Sequence, residues 1–395
     1  MAQEPLIVFV GHDGGRTGAP LSLLQIVQWF AANTPCPTEV ILMNGGPLEK
    51  DYGLHAPVHL WNEPYTNPLD PRRLLNKALR RLGHVDEALL TRGQRAIVRR
   101  LAKRRVAAIF GNTGVTGHLL ETLKRALDAP VVTRIPELEA YMRRNNVDGS
   151  ADRVLALSDQ LIAVSQAVKD NLVRRHAVAP ERIAVVHGAC AAKRLARGGG
   201  GLREKLGIPA DAFVVGGCGT MDWRKGIDLF IQVANHVANS RDCAGIYFCW
   251  IGSCVSGPSC VELHYEIELH GLAGRLFFLG EVPDTAPYLA DLDLFLLTSR
   301  EDPFPLAMVE AARQGIPLVC FAGSGGAAEF VDDTVGVTVP MLDVAAMAQA
   351  VEDLKADAAW RTALAKGAYE RSLRYTPQRM GEAIYAVLKS VMKGA

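Results

Sequence analysis

Short, continuous apolar runs recur along the chain, and most are followed by a loop and a longer helical pattern. The first set is LIVFV (6–10), EVILM (39–43), AAIFGN (107–112), PVVTRI (130–135), QLIAVS (160–165) and RIAVVHG (182–188). A second set is FVVGGCGT (213–220), IYFCWIGS (246–253), RLFFLGEV (275–282), LDLFLLTS (292–299) and IPLVCFAG (316–323). These runs are rich in β-branched residues and do not alternate with polar ones, the pattern of strands covered on both faces. Strands that return parallel need crossovers, and the helical stretches supply them. Between the two sets, ACAAKRLARGGGG (189–201) is small, basic and Gly-rich, and reads as a linker. The expectation is two α/β domains with mainly parallel sheets, 1–190 and 200–375, and a closing helix over 376–395.

The bulk numbers agree with that division. The chain has 395 residues, 49% of them hydrophobic, which suits two domains of roughly 100–200 residues each. Net charge is +1, so no global field argues for nucleic acid. Eight cysteines without short paired spacings suit a reducing compartment better than a disulfide scaffold. The start MAQEPLIVFV lacks a basic region ahead of a long apolar stretch. No uncharged apolar run is long enough to span a bilayer. A soluble, cytoplasmic protein is expected.

In parallel α/β sheets, ligands bind beyond the carboxyl ends of the strands. After LIVFV comes GHDGGRTGAP, whose Gly11, Gly14, Gly15 and Gly18 make a flexible loop and whose Pro20 can open a helix. The free N–H groups of such a helix start attract anions and hydroxyls. Neither GxGxxG nor GxxxxGK[ST] is present, which removes the best evidence for a dinucleotide or P-loop site. After FVVGGCGT, Arg224 and Lys225 stand between a Gly-rich strand end, with Gly219, and a helix. Two cations there suit a pyrophosphate; a solvated basic turn is the plainer alternative.

The stretch TSREDPFPLAMVEAARQGIPLV (298–319) is the most constrained. Pro305 fits a first helical position and Gly315 a helix stop. Unpaired N–H groups near Leu306 and Ala307 would face the strand ends, with Asp302 before the turn and Glu310 within the first turns. Acids near a helix start also favour the dipole, a purely structural role. Functionally, carboxylates accept from sugar hydroxyls while the N–H groups hold an anion. AGSGGAAEFV repeats the design, with glycines ahead of a helix carrying Glu329.

Together these pieces resemble glycosyltransferase family 4, retaining enzymes of the two-domain GT-B fold. GCGTMDWRKGIDLF is similar to the family's Gly-rich loop ending in Lys-Gly. HGLAGRLFFLGEVPD is similar to its HGL…V.FLG segment. YLADLDLFLLTSREDPFPLAMVEAARQGIPLV is similar to its acidic signature, two acids eight positions apart. AVSQAVKDNL and VVHGA complete the order. The resemblance covers nearly the whole chain and is densest from Phe213 to Gly336. It implies two Rossmann-like, doubly wound domains facing across a cleft, with the C-terminal helix returning to the N-terminal domain.

By the same resemblance, Arg224 and Lys225 neutralise the departing diphosphate. Glu310 binds the ribose hydroxyls. Asp302, with the backbone of Pro303, Phe304, Pro305 and Leu306, holds the donor sugar. Gly219, the Gly323–Ala327 loop and Glu329 lie near the nucleotide, and Gly18 lines the cleft near the donor phosphate and acceptor. No cofactor and no metal are implied, since protein cations and helix N-termini stabilise the leaving group. The implied partners are a nucleotide sugar and a glycan or lipid-linked acceptor, probed by acceptor-side candidates His12, Arg134 and Glu137. The chain departs from the family at three points. Asp302 stands where Glu is usual, with Glu301 one residue off; Thr220 stands where an Arg is frequent, leaving Arg224 to substitute. VVTRIPELE carries Arg134 and Glu137 where a His is frequent.

Residues 72–105 are strongly basic, with Leu74, Leu75, Ala78, Leu79 and Leu82 at helical spacing. Such a helix can lie on anionic lipid at the inner membrane face; an ordinary solvated face is the alternative. Cys249, Cys254, Cys260 and His264 cluster, but not at zinc-site spacing. Two other functions fit the pattern: a phosphate-ligand enzyme such as an epimerase or phosphorylase, and a nucleotide- or glycan-binding GT-B protein without turnover.

Overall fold

The apolar runs become strands because helices bury both of their faces. A computed structural model describes residues 4–61, 90–146, 148–196, 198, 201–241, 244–252 and 258–392, side chains 258–260 excepted. The chain divides into two units, Met1–His187 with Pro377–Ala395, and Gly188–Thr376.

The first unit holds β1 (Leu6–Gly11), β2 (Thr38–Leu42), β3 (Val58–Leu60), β4 (Val106–Asn112), β5 (Val131–Ile135), β6 (Gln160–Ala163) and β7 (Ile183–Val185). They form one parallel sheet in the order β3-β2-β1-β4-β5-β6-β7. The order reverses between β1 and β4, so their carboxyl ends flank a switch point. Every residue of β1 is buried, as a central strand requires.

The second unit holds β8 (Phe213–Cys218), β9 (Ile246–Ile251), β10 (Leu276–Gly280), β11 (Leu294–Leu297), β12 (Leu318–Phe321) and β13 (Gly336–Val339), in the order β10-β9-β8-β11-β12-β13. All are parallel, and the switch point lies between β8 and β11. Phe230 packs edge-on against Phe248 and Trp250, with centroids 5.7 and 5.1 Å away, at the centre of this core.

Each of the eleven apolar runs overlaps one strand. The sequence reading misses β3 and β13, and both are edge strands of three or four residues. Both are short and interrupted by a polar residue, His59 in β3 and Thr338 in β13, so neither makes a continuous apolar run. Two prolines sit differently from expectation. Pro20 is the third residue of the helix Gly18–Asn33, and Pro305 precedes the helix Leu306–Arg313 rather than starting it. Both places lack an intrahelical N–H bond, so proline costs nothing there.

Of the basic segment, 72–89 lies outside the described residues. The rest forms the helix Arg92–Leu101, opened by a capping box between Thr91 and Gln94. Its buried face is Gln94, Val98 and Leu101, while Arg100 and Arg104 pair with Glu39. Among the described residues, no helix is long and apolar enough to cross a membrane.

The closing helix Pro377–Val391 packs on the helix Gly18–Asn33. Trp29 Nε1 donates to Gln378 Oε1 at 2.8 Å, and the Tyr385 ring meets Phe30 edge-on at 5.6 Å. A Cβ at Gly381 would fall inside the indole of Trp29. Gly381→Ala is therefore expected to destabilise the protein by about 1–3 kcal/mol, the usual cost of overpacking. Urea unfolding followed by tryptophan fluorescence checks this, and unchanged stability would refute the packing.

Candidate active site

In the second unit β8 and β11 are neighbours, so the loops that leave them must meet. The loop after β8 closes on Asp222: its Oδ1 accepts from Lys225 N at 2.9 Å and its carbonyl from Gly226 N at 3.2 Å. Gly226 has φ +69°, and a Cβ there would overlap the carbonyl oxygen of Thr298. Only glycine allows both that conformation and that approach. The two loops are then laced together. Thr298 Oγ1 donates to the Lys225 carbonyl at 3.2 Å, Arg300 N to the Arg224 carbonyl at 2.8 Å, and Arg224 Nη1 to the Glu301 carbonyl at 3.2 Å.

The lacing sets Lys225 against Asp302. Lys225 Nζ donates to Asp302 Oδ2 at 2.6 Å, Ser299 Oγ reaches the same oxygen at 3.2 Å, and Arg224 Nη1 stands 3.8 Å from it. The Asp302 side chain is only 5% exposed, against 13% for Lys225 and 23% for Arg224. The third loop, after β12, fixes the backbone: Asp302 N donates to the Ser324 carbonyl at 2.6 Å and Gly326 N to the Asp302 carbonyl at 3.0 Å. Two cations thus share one carboxylate. The residual positive charge, in a largely dehydrated place, is what a multivalent anion can use.

The helix Leu306–Arg313 starts from this corner. Pro305 offers no side-chain acceptor to its first turn, and Leu306 and Ala307 are only partly buried there. One turn on, Glu310 Oε2 accepts from Thr285 Oγ1 at 3.1 Å. Burial pushes the Glu310 carboxyl above its ordinary value; Asp284 adds to this, and Thr285 and Lys225 oppose it. Phe304 turns its ring into the unit, 5.3 Å from Tyr375, so what Pro303 to Leu306 can offer a ligand is mainly backbone. Glu329 ends the short turn Gly326–Glu329, within electrostatic reach of Tyr375. Gly219 lies under the stem of Lys225, and its carbonyl accepts from Trp250 Nε1 at 2.9 Å.

The structure therefore gathers Arg224 and Lys225 around one oxygen of Asp302 and seats Leu306 and Glu310 on the adjoining helix, just past Pro305. The sequence reading missed Ser299 and Thr285; it marked the Gly323–Ala327 loop, but not that Ser324 and Gly326 hold the Asp302 backbone. Ser299 lies in the stretch read as most constrained, but nothing in its spacing marks a hydrogen bond to Asp302. Among the described residues no group of three or more His, Cys, Asp or Glu is placed to hold a metal ion. Cys249 is buried in β9 and His264 packs edge-on against Phe278, while Cys254 and the Cys260 side chain lie outside the description.

The remaining candidates are in the first unit, at its own strand ends. Gly18 opens the helix after β1 and is exposed, with open space at its α-carbon. His12 follows β1; burial lowers its pKa, opposed by Asp13, and its Nδ1 has no partner. Arg134, in β5, donates through Nη1 to Asn112 Oδ1 at 3.1 Å, and Asn112 Nδ2 donates to the Ala19 carbonyl at 2.9 Å. Glu137 Oε1 accepts from Gly114 N at 3.2 Å. Burial pushes the Glu137 carboxyl up to about 8 against the pull of Gly114 N–H and Arg134, and brings Arg134 down to about 10. Thr113, unmarked in the sequence, has φ +105° while almost wholly buried. Backbone strain of this kind in a β-branched residue collects at functional sites.

Residues 212–357 match the family model described as glycosyl transferases group 1. The lipopolysaccharide core biosynthesis glycosyltransferase LpsE of Rhizobium meliloti (strain 1021) is 32% identical over 168 residues, 42% of this chain and 47% of that protein. D-inositol 3-phosphate glycosyltransferase 1 of Catenulispora acidiphila is 30% identical over 251 residues, 61% of this chain and 59% of that one. The chain thus spans about half the length of these relatives. The crystal structure of Anabaena Alr3699/HepE in complex with UDP-glucose superposes with a TM-score of 0.80 at 22% identity, covering 98% of this chain and 99% of that one. That identity speaks to fold. The fold is GT-B, and the resemblance to a GT-B glycosyltransferase read from the sequence is borne out.

Two outcomes follow from the electrostatics. Lys225→Ala leaves the buried Asp302 without its closest cation and is expected to cost about 3 kcal/mol of stability, much of it recovered by adding Asp302→Ala. Chemical denaturation of both variants checks this, and additive losses would contradict it. Glu137 holds its proton more tightly folded than unfolded, so its contribution to stability is lost as pH rises from about 4.5 to about 8. Glu137→Gln should flatten that part of the melting-temperature profile and raise stability at pH 8; an unchanged profile would show that Glu137 does not titrate there.

Proposed function

We propose that the protein is a retaining glycosyltransferase of family 4. It moves a sugar from a nucleoside-diphosphate sugar to a hydroxyl of a glycan or lipid-linked acceptor in cell-surface polysaccharide synthesis. The observation that carries this reading is the pairing of Arg224 and Lys225 with Asp302 beside the uncapped start of the helix Leu306–Arg313.

As the sugar–phosphate bond breaks, negative charge grows on the diphosphate. Two unit charges about 4 Å apart interact by about 4 kcal/mol at an effective dielectric constant of about 20. Two positioned cations therefore lower the barrier substantially without a metal. The first-turn N–H groups at Leu306 and Ala307 add donors that need no reorganisation. Glu310, one turn on, accepts from ribose hydroxyls. Asp302 is held by Lys225 and Ser299, which suits hydrogen bonding to donor-sugar hydroxyls better than nucleophilic attack. That supports a reaction in which the acceptor hydroxyl arrives on the face the leaving group quits, rather than the two-carboxylate route.

The first-unit residues His12, Arg134 and Glu137 form the acceptor side of this reading. Uridine diphosphate is the first nucleotide to try, since HepE has been crystallised with UDP and UDP-glucose. A surface-glycan acceptor fits the lipopolysaccharide and O-antigen relatives. The exposed arginines of the helix Arg92–Leu101 would rest on anionic lipid, at the inner membrane face where lipid-linked acceptors are found.

Release of nucleoside diphosphate from a panel of nucleotide sugars tests the proposal. One donor should be hydrolysed slowly without acceptor, and Lys225→Ala and Glu310→Ala should each lower that rate by about 100-fold or more. Full activity in both variants would defeat the assignment.

A further inference from the structure

Arg300 precedes the acids of the site and touches none of the groups assigned to the donor through its side chain. Its guanidinium instead forks onto Asp228, Nη1 to Oδ1 at 2.8 Å and Nη2 to Oδ2 at 2.5 Å. Nη1 also donates to the Trp223 carbonyl at 2.9 Å, and the guanidinium carbon stands 5.3 Å from the centre of the Trp223 ring. The Arg300 backbone N–H donates to Arg224. Arg300 thus grips three successive parts of the neighbouring segment: the carbonyls of Trp223 and Arg224, and Asp228 in the first turn of the helix Ile227–Ala238.

The grip spans Lys225 on both sides. Trp223 and Arg224 precede it, and Asp228 follows it by three residues. Arg300 itself is two residues from Asp302. Besides this grip, the loop carrying Lys225 is joined to the loop carrying Asp302 by the hydrogen bonds of Thr298 to the Lys225 carbonyl and of Arg224 to the Glu301 carbonyl, neither of which reaches the helix beyond Lys225. The Arg300 side chain is 16% exposed, and Trp223, itself 63% exposed, lies against it. A ring left so exposed adds little core energy where it stands, but it shields the fork from water on one side.

We infer that the Arg300–Asp228 fork is a positioning clamp that holds Arg224 and Lys225 in register with Asp302. The inference rests on the functional reading above and adds two residues to it. Planar, bidentate geometry is what the clamp needs, and lysine cannot supply it. A shift of about 1 Å in a charge that must meet the leaving group costs on the order of 100-fold in rate, whereas a surface-side ion pair adds little to stability.

Arg300→Lys keeps the charge and loses the fork, while Asp228→Asn keeps the shape and loses the charge. UDP-glucose hydrolysis is measured in both, with melting temperatures. Each variant is expected to lower kcat by about 10- to 100-fold while melting within about 3 °C of the parent. The double variant should be no worse than the more impaired single, since one clamp can be broken only once. Singles within twofold of the parent, or losses that multiply, overturn the inference. Hydrogen exchange of the peptide spanning 298–302 reads the clamp without turnover. It should quicken about tenfold or more in both variants, and unchanged exchange overturns the clamp even in a protein that hydrolyses no nucleotide sugar. A parent that hydrolyses none, with exchange quickened in the variants, would instead refute the functional reading and leave the clamp standing.

Discussion

A lysine and an aspartate from different loops, 2.6 Å apart and nearly dehydrated, define the second unit. Taking both charges out of water is expensive, and the contact persists only with good geometry on every side. The surrounding residues supply it. Gly226 lets the β8 loop pass under Thr298, Ser299 adds a donor to Asp302, and the β12 loop fixes the Asp302 backbone from behind. All of this follows from one topological fact, that β8 and β11 are neighbours where the strand order reverses. The pair gives stability little that an apolar pair could not match.

Much of this was legible in the sequence. Continuous apolar runs marked eleven of the thirteen strands, the edge strands β7 and β10 among them. The two that escaped, Val58–Leu60 and Gly336–Val339, are short and broken by His59 and Thr338. Arg224, Lys225, Asp302 and Glu310 stood out because they follow apolar runs where ligands of parallel α/β sheets bind. Their contacts did not. Spacing cannot say that Lys225 reaches Asp302 rather than solvent, nor that Thr285, in another segment, meets Glu310. Prolines 20 and 305 were read as helix openers, and each lies within two residues of that position, since several places at a helix start tolerate a missing N–H.

The first unit repeats the logic with different chemistry. At the ends of β1, β4 and β5 several buried polar atoms stand unpaired: His12 Nδ1, Thr113 Oγ1, Arg134 Nε and Glu137 Oε2 lack partners among the described residues. Buried polar atoms are normally satisfied, so four at adjoining strand ends of one sheet stand out. Thr113 adds a backbone held at φ +105°. Nothing in the sequence predicted Thr113, since strain is a property of the fold around a residue and not of its type. The second unit thus carries fixed positive charge at its strand ends and the first unit uncommitted hydrogen-bonding groups at its own.

The central claim is that Arg224, Lys225 and the start of the helix Leu306–Arg313 are built for a diphosphate. Calorimetric titration with uridine diphosphate and uridine monophosphate, at one ionic strength, tests it directly. The diphosphate should bind about tenfold more tightly or better, since its second phosphate is the group these donors would meet. Equal affinity for the two nucleotides would contradict the claim.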